Sequence, residues 1–223
     1  MWCGHTVALG EHLSGRVRRV ACARWCGWRG IAKPIRDGDG LNAANDFLCG
    51  RLIARLGFGH GVVPDSTLVS GTGWFTGVER MALGAFLADD IGRHVRIGAT
   101  HRPEGAAWPS WLYWFDRWVG RVDPTGDTNT LLRLADNVIV PVDFEMAFPW
   151  VTERTVAVYR TDWFDVVSHP SVDEASEDAA RDAIRRLGDA DIMQVVEATP
   201  PYFAPRCALT AIWAGLCARR DQL

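Results

Sequence analysis

The spacing of apolar residues changes along this chain of 223 residues, and that change limits the folds it can adopt. The first third carries short apolar runs typical of strands, VRRVACARWCGW (17–28) and GIAKPI (30–35), closed by the turn-rich DGDG. Most of the remainder has the three-to-four-residue spacing of helices. This division predicts an α+β protein with a strand-rich N-terminal unit, residues 1–80, and a mostly helical C-terminal unit, residues 81–223.

Several segments carry the helical pattern. The clearest is 42–57, which has Asn42 as a candidate N-cap and Gly57 as a stop signal. A tryptophan stripe at helical spacing predicts a buried helix face more than a ligand-binding surface, and it consists of Trp108, Trp111, Trp114 and Trp118. The other predicted helices cover 83–91, 108–120 and 173–187, with a last one within 203–223.

The composition excludes several functional classes. With 48% hydrophobic and 23% charged residues the chain is typical of a globular domain, and its net charge of −3 gives no basic surface for nucleic acid. The N-terminus lacks the pattern of a signal peptide, and no apolar run is long enough for a membrane helix. The six cysteines lack zinc-ligand spacing and the six histidines lack an HExxH pattern. We therefore expect a cytoplasmic protein with free thiols that binds neither nucleic acid nor membranes.

One lysine stands alone among the basic residues. Lys33 is the only lysine of the chain, and the other 23 of the 24 basic residues are arginine. Lysine ends in a compact ammonium that can enter a narrow pocket and contact phosphate oxygens, whereas arginine presents a wide planar fork. On position alone, a phosphate-binding role and an accident of composition both remain open.

A polar loop and a short apolar run carry the acidic residues that suit a metal ion. The loop is RVDPTGDTNTLL (121–132), and the run NVIVPVDFEMAF (137–148) places Asp143 directly after four apolar positions and a proline. An acidic residue at the end of a buried strand, near a loop rich in Asp and Asn, is a common way to hold a divalent cation. The sequence therefore predicts a metal site that includes Asp143.

The polar residues follow the order of parts in kinase-type phosphoryl transfer. Lys33 on a strand precedes Asp46 on the next helix, then Asp123 and Asn129 in a loop, then Asp143 after a strand. Each has an ordinary structural explanation, such as a helix-dipole role for Asp46 or a turn role for Asp123. The ordered set, with the only lysine in the first place, favours ATP and Mg²⁺ as ligands.

The chain resembles the HipA-like kinase domain family, a bacterial branch of the protein-kinase-like fold that shares features with phosphatidylinositol kinases. The resemblance spans most of residues 30–223 and implies a bilobal fold, with a small strand-rich N-lobe and a mostly helical C-lobe, that binds ATP and Mg²⁺. The matching stretches are IAKPI, NDFLCGRLIARLGFGHGVVP, FDRWVGRVDPTGDTNTLL, VIVPVDFEMAF and YFAPRCALTAIWAGLCARRDQL.

The resemblance also implies roles for individual residues. Lys33 would contact the ATP phosphates, Asp123 would be the catalytic aspartate, and Asn129 with Asp143 would bind Mg²⁺. The segment GVERMA (77–82) would link the lobes. Backbone groups in that segment would meet adenine at Glu79, Arg80 and Met81.

The chain departs from the family pattern at two places. Asp46 stands where the family has a glutamate, one methylene longer, so its ion pair with Lys33 would be looser or bridged by water. Five residues, starting with Pro124, separate Asp123 from Asn129 where the family has four. Asp127 is therefore a substitute metal ligand. Asp127 or Asp116 would be next in line as the base if Asp123→Asn kept its turnover.

Three functional readings follow. The first is a kinase that transfers the γ-phosphate of ATP to a hydroxyl of a protein or small-molecule acceptor, which the sequence does not identify. The second is a pseudokinase, a nucleotide-binding or interaction module without efficient transfer, which the altered loop spacing favours. The third, within the kinase reading, is a small-molecule phosphotransferase of the aminoglycoside type, which would act on free hydroxyl compounds.

Overall fold

The α+β class that the sequence predicts is what the structure has. The structure, a computed structural model, describes residues 6–13, 20–25, 28–34, 40–58, 66–71, 82–88, 94–96, 109–121, 129–134, 136–151, 174–201 and 203–223. In this part of the chain, six of the eight strands come before residue 97 and four of the five α-helices come after it.

A closed five-stranded barrel forms the N-terminal part. Its strands are β1 (Thr6–Leu13), β2 (Val20–Trp25), β3 (Trp28–Pro34), β4 (Ser66–Gly71) and β5 (Ala82–Ala88). The order around the barrel is β1-β2-β3-β5-β4, and the parallel pairing of β1 with β4 closes it. All other pairs are antiparallel, so each strand has a hydrogen-bonded neighbour on both sides and the barrel leaves no open edge.

Helix α1 (Gly40–Arg55) joins the barrel to the helical part, because it packs against β4 and β5 and also against a later helix, α4 (Asp189–Glu197). Its apolar side chains at helical spacing are buried, among them Phe47, Leu48 and Leu52. The helix begins two residues before the predicted N-cap Asn42. Gly57 is the stop that the sequence predicts, since it adopts a left-handed φ of 71° and its N–H bonds to the carbonyl of Ala54 at 3.1 Å.

A second sheet has three antiparallel strands. Its strands are β6 (His94–Arg96), β7 (Thr130–Arg133) and β8 (Val138–Pro141), with β7 in the middle. Helix α2 (Leu112–Val119) ends at Gly120, which has a φ of 66° and donates to the carbonyl of Arg117. The loop predicted over 121–132 therefore ends in a strand, because pairing with β6 and β8 satisfies the backbone of Thr130–Arg133.

Three helices complete the described chain: α3 (Glu174–Arg185), α4 (Asp189–Glu197) and α5 (Arg206–Arg220). The sequence predicted α3 and α5 but missed α4, which starts directly after Gly188. The Asp191 carboxylate accepts a 3.2 Å hydrogen bond from the Gly188 N–H, the local interaction that begins a new helix there. None of the helices in the described residues has the length and apolar character that crossing a membrane requires.

The core lies between α1, α2 and the C-terminal helices. Of the tryptophan stripe, Trp111 and Trp118 are buried and Trp114 is half-buried, while Trp108 lies outside the described residues. The indole N–H of Trp118 donates to the carbonyl of Leu216 on α5 at 2.9 Å. The described members of the stripe thus belong to the core or pack against it, as their spacing predicts. The cysteines whose side chains the structure describes are free: Cys49 is buried, Cys217 half-buried and Cys207 exposed.

The segment predicted as a helix over 83–91 is a strand where the structure describes it. Residues Ala82–Ala88 form β5, which pairs with β3 on one side and β4 on the other. A short apolar run fits either element, and here hydrogen bonds on both sides outweigh the local pattern.

This strand bears on the division of the chain and on the predicted linker. β5 begins just after residue 80 and belongs to the barrel, so the strand-rich part extends at least to Ala88. Residues 77–81 lie outside the described residues, but the chain between β4 and β5 connects two neighbouring strands of one barrel. The pairing of β5 with β3 and β4 favours a connection to the helical part after Ala88. The linker at 77–82 stays a prediction.

Candidate functional site

Two neighbouring residues of α1 hold the chain segment that follows β8. The side-chain amide of Asn45 donates to the carbonyls of Glu145 and Ala147, at 2.8 Å in both cases. The Asp46 carboxylate accepts a 2.6 Å hydrogen bond from the backbone N–H of Phe144. Asn45 and Asp46 are each 3% exposed. Hydrogen bonds to buried partners of this kind fix the position of residues 143–147 relative to α1.

Three carboxylates meet at this contact. One oxygen each from Asp46, Asp143 and Glu145 lies within 4.8 Å of the others. The backbone turns sharply here, since Asp143 adopts a left-handed φ of 66°, a conformation that aspartate tolerates better than most residues. Carboxylate oxygens are the ligands that Mg²⁺ prefers, so the donor set suits this ion. The arrangement can hold a divalent cation between α1 and the segment after β8.

A buried arginine connects this segment with the loop before β7. Arg121 follows α2 directly and is 2% exposed. Its Nη2 donates to the carbonyls of Asn129, at 3.2 Å, and Asp143, at 3.4 Å, and it also bonds the carbonyl of Val142. Its guanidinium lies 4.2 Å from the centre of the Phe144 ring. One side chain thereby contacts both segments that carry predicted metal ligands.

Asp116 provides the negative charge next to this arginine. Its Oδ1 lies 3.5 Å from Nη1 of Arg121, and both side chains are 1% exposed. Burial raises the pKa of Asp116 to about 6, and the neighbouring Arg121 offsets only part of that rise. A carboxylate enclosed in this way cannot reach an acceptor hydroxyl. Asp116 is therefore not the substitute base that the sequence suggested.

The backbone of Asn129 is bonded to the residue before Asp143, and the metal-binding role of its side chain stays a prediction. Asn129 is 7% exposed, and its backbone carbonyl accepts a 2.9 Å hydrogen bond from the N–H of Val142 as well as the bond from Arg121. The two residues predicted to bind Mg²⁺ are thus brought together by their backbones, although they belong to different segments.

Lys33 lies on strand β3, where its backbone pairs with Ala85 of β5. The strand position agrees with the prediction, and the predicted ion pair between Lys33 and Asp46 stays a prediction. The remaining predicted site residues lie outside the described part of the chain: Glu79, Arg80, Met81, Asp123 and Asp127.

Sequence reasoning missed three residues of the site, namely Asn45, Arg121 and Glu145. Each had a weak signal, because Asn45 precedes Asp46, Glu145 follows Asp143 by two residues, and Arg121 precedes Asp123 by two. A single polar residue beside a predicted site residue does not show its partners, which here lie in distant parts of the chain.

The fold resembles that of a known kinase. The crystal structure of CtkA, a proinflammatory kinase of Helicobacter pylori, superposes with a TM-score of 0.62 and covers 98% of this chain and 92% of that one. The two sequences are 12% identical, so the likeness concerns the fold. No family model and no curated protein sequence matches the chain. The chain thus has a kinase-like fold.

Proposed function

We propose that this protein is an ATP- and Mg²⁺-dependent phosphotransferase of the HipA-like type, which transfers the γ-phosphate to a hydroxyl of a protein or small-molecule acceptor. The kinase-like fold supports the class of reaction. The sequence motifs around Lys33, Asp123 and Asp143 support the HipA-like type. In this proposal the barrel and α1 form the N-lobe and the later helices form the C-lobe.

The observation that carries the proposal is the meeting of α1 with the segment after β8. It collects three carboxylates within 4.8 Å in a partly buried position, next to the backbone of Asn129. Structural ion clusters also occur in proteins, but here the acidic residues include two that the order of kinase parts predicted from sequence, Asp46 and Asp143. A site for a nucleotide-bound cation explains why so much negative charge lies together.

The residues of this site would have distinct roles. Asp143 and Asn129 would hold Mg²⁺, with Glu145 as an added oxygen ligand and Asp127 as a substitute. When bound, this ion would neutralise negative charge on the phosphate oxygens. Lys33 would contact the phosphates as a point charge, and Asp46 would favour its charged form. Asp123 would orient the acceptor hydroxyl and accept its proton, while alignment of the reactants supplies most of the acceleration.

The adenine site requires a change from the sequence prediction. Glu79, Arg80 and Met81 were assigned to adenine because they were placed in the link between lobes. Because β5 belongs to the barrel, we propose that this link follows Ala88 and that backbone groups after β5 meet adenine. A contact from Glu79–Met81 would then come from the β4–β5 connection.

The experiment that tests this function is thermal unfolding with and without ATP and Mg²⁺, on the wild type, Asp143→Asn and Asp182→Asn. Asp182 on α3 is a matched control, because its side chain is 52% exposed and pairs only locally with Arg185. Nucleotide at about 100 times its dissociation constant stabilises the folded state by roughly 2.7 kcal/mol, a rise in melting temperature of roughly 5 to 10 °C. We expect this rise in the wild type and in Asp182→Asn, and its loss in Asp143→Asn.

Either of two results would contradict the proposal. An equal rise in Asp143→Asn would place the metal site elsewhere. The absence of any rise in the wild type would show that the protein does not bind the nucleotide. A partner-binding module with a kinase-like fold would then be the remaining interpretation.

The pseudokinase remains the second candidate, favoured by the longer stretch between Asp123 and Asn129 and by Pro124 within it. Turnover separates the two candidates. A kinase should release ADP or transfer labelled phosphate, and Asp123→Asn should keep the thermal shift while losing turnover. A protein that binds ATP with Mg²⁺ but has equal, background turnover in the wild type and in Asp123→Asn is a pseudokinase.

A further inference from the structure

We infer that Arg121 is a positioning residue for the metal site, which joins the loop carrying Asn129 to the segment carrying Asp143 and is itself held by Asp116. This inference rests on the proposed function, because the site that Arg121 positions is the proposed Mg²⁺ site. It assigns a role to a buried ion pair that the proposed chemistry does not otherwise use.

The first argument is the hydrogen-bond geometry. Nη2 of Arg121 faces three backbone carbonyls, those of Asn129, Val142 and Asp143, which belong to two segments of the chain. Arginine offers several N–H donors in a rigid plane, so one side chain can bond acceptors on both segments at once. All three bonds come from Nη2, while Nη1 lies beside Asp116. A lysine ammonium has a single nitrogen and cannot face the carbonyls and the carboxylate from two separate atoms.

The second argument is that the chain keeps a full charge in its interior at this place. A buried guanidinium loses its hydration, and such a group is tolerated when a counter-ion and hydrogen bonds compensate for that loss. Asp116 lies 3.5 Å away and supplies the counter-charge, and the Phe144 ring covers one face of the guanidinium at 4.2 Å. An apolar side chain would fill this space without that requirement. The buried ion pair of Arg121 with Asp116 is explained if the hydrogen bonds from Arg121 are required to hold the two segments together.

The third argument is that the segment after β8 is held from two sides. From α1, Asn45 bonds the carbonyls of Glu145 and Ala147, and Asp46 bonds the N–H of Phe144. From the end of α2, Arg121 bonds the carbonyls of the two residues before Phe144. Side chains of α1 and of the residue after α2 thereby bond backbone polar groups of this segment, which lies in no helix or strand. The residues bonded are Val142, Asp143, Phe144, Glu145 and Ala147. Supporting residues of this type commonly change metal affinity by about 10- to 100-fold when they are replaced.

The test compares three proteins with the wild type. Removal of Arg121 alone leaves Asp116 buried without its partner, which can unfold the protein, so the main variant is the double replacement Asp116→Asn with Arg121→Met. Arg121→Lys keeps the charge but not the fork. Arg220→Lys is the matched control, because Arg220 is also largely buried, at 12% exposed, and donates to the carbonyl of Leu187 and to Asp189, away from the site.

Two measurements are made on each protein. The first is amide hydrogen exchange without metal or nucleotide, at Val142 and at the helical core amides of α5. The second is the Mn²⁺ concentration that gives half of the ATP-dependent rise in melting temperature. A merely structural role would lower the melting temperature of every state and leave this half-saturating concentration unchanged.

We expect the double variant and Arg121→Lys to exchange Val142 at least about tenfold faster than the wild type relative to α5, and to require about 10 to 100 times more Mn²⁺. Arg220→Lys should match the wild type in both measurements. Wild-type Mn²⁺ dependence in a folded double variant overturns the inference and leaves the proposed function intact. A wild type that shows no metal-dependent ATP binding overturns the proposed function and this inference with it, whatever the exchange rates are.

Discussion

The carboxylate of Asp46 accepts a 2.6 Å hydrogen bond from the backbone N–H of Phe144, a residue 98 positions later in the chain. This bond connects helix α1, which packs on the barrel, to the residue directly after Asp143. Any movement of α1 would therefore disturb the carboxylate cluster. In the proposed function, the same bond would fix the metal site relative to the barrel on which α1 packs.

The first prediction concerns this bond. Asp46→Ala leaves the buried N–H of Phe144 without its acceptor and should lower the free energy of unfolding by about 1 to 3 kcal/mol. Asp46→Asn keeps an acceptor oxygen and should cost less. Denaturant unfolding of both variants measures the difference. An equal loss in the two variants would show that the charge of Asp46, and not its acceptor oxygen, is what stabilises the fold.

The second prediction concerns the only lysine. Lys33→Arg and Lys33→Ala should both weaken Mg²⁺-dependent ATP binding, by about tenfold or more, because the arginine fork cannot reproduce the point contact of an ammonium. Binding is measured by titration calorimetry. Arg29→Lys, on the same strand, is the control for tolerance of β3 to such an exchange. Full ATP affinity in Lys33→Arg would mean that the solitary lysine is an accident of composition.

The third prediction concerns pH. The folded state keeps the proton of Asp116 up to about pH 6, because burial raises its pKa, whereas the unfolded chain releases that proton near 3.8. The unfolded state therefore binds fewer protons between these values, and stability falls as the pH rises from about 4 to 6. Ionisation of Asp116 costs up to roughly 3 kcal/mol at neutral pH. The charged and titratable groups that face Asp116 include Arg121 and Cys49. The pKa of the Cys49 thiol is raised well above its usual value by burial and by the charge of Asp46.

The measurement is the difference in unfolding free energy between wild type and Asp116→Asn at several pH values from 4.5 to 7. The wild type should lose stability relative to the variant as the pH rises. Arginine partners lower the pKa of three other carboxylates, Asp136, Asp189 and Asp191. These groups make stability rise with pH, but they titrate below pH 4.5 and so do not affect this measurement. A difference that stays constant with pH would show that Asp116 is ionised throughout.

The fourth prediction concerns a close contact in the helical part. A Cβ at Gly215 on α5 would collide with Nε1 of Trp150, whose N–H donates to the carbonyl of Ala211 at 3.1 Å. Gly215→Ala should therefore displace this indole and lower the free energy of unfolding by about 1 to 3 kcal/mol, beyond the small gain in helix propensity. Denaturant unfolding measures the loss. Stability equal to or above that of the wild type would mean that α5 and Trp150 separate at little cost.

The parts of the fold that could be predicted from sequence are those governed by local pattern. The apolar spacing of residues 42–57 predicts α1, and Gly57 ends it as expected. The run 83–91 shows the limit of this approach, because a short apolar run fits a helix or a strand until its pairing partners are known. Helix α4 was missed because its signal is a glycine, which usually ends a helix, and the hydrogen bond from Gly188 to Asp191 starts a new one.

The candidate site divides in the same way. Residue type and order along the chain predicted Asp46 and Asp143, whose carboxylates the structure brings together, and placed Lys33 on a strand. They also predicted Asn129, whose backbone carbonyl bonds the residue before Asp143. Asn45 and Arg121 could not be predicted, because their importance lies in backbone carbonyls contributed by distant segments. Neither residue type nor order along the chain shows which backbone carbonyl a side chain will bond.

The sequence alone determined the α+β class and the linear order of the polar residues, because periodicity and residue chemistry act locally. Only the tertiary structure decided that the barrel includes β5, that Asp116 is buried against Arg121, and that three carboxylates meet between α1 and the segment after β8. These outcomes depend on contacts between residues far apart in the chain. Their free energies come from burial and hydrogen bonds that exist only after the helices have packed.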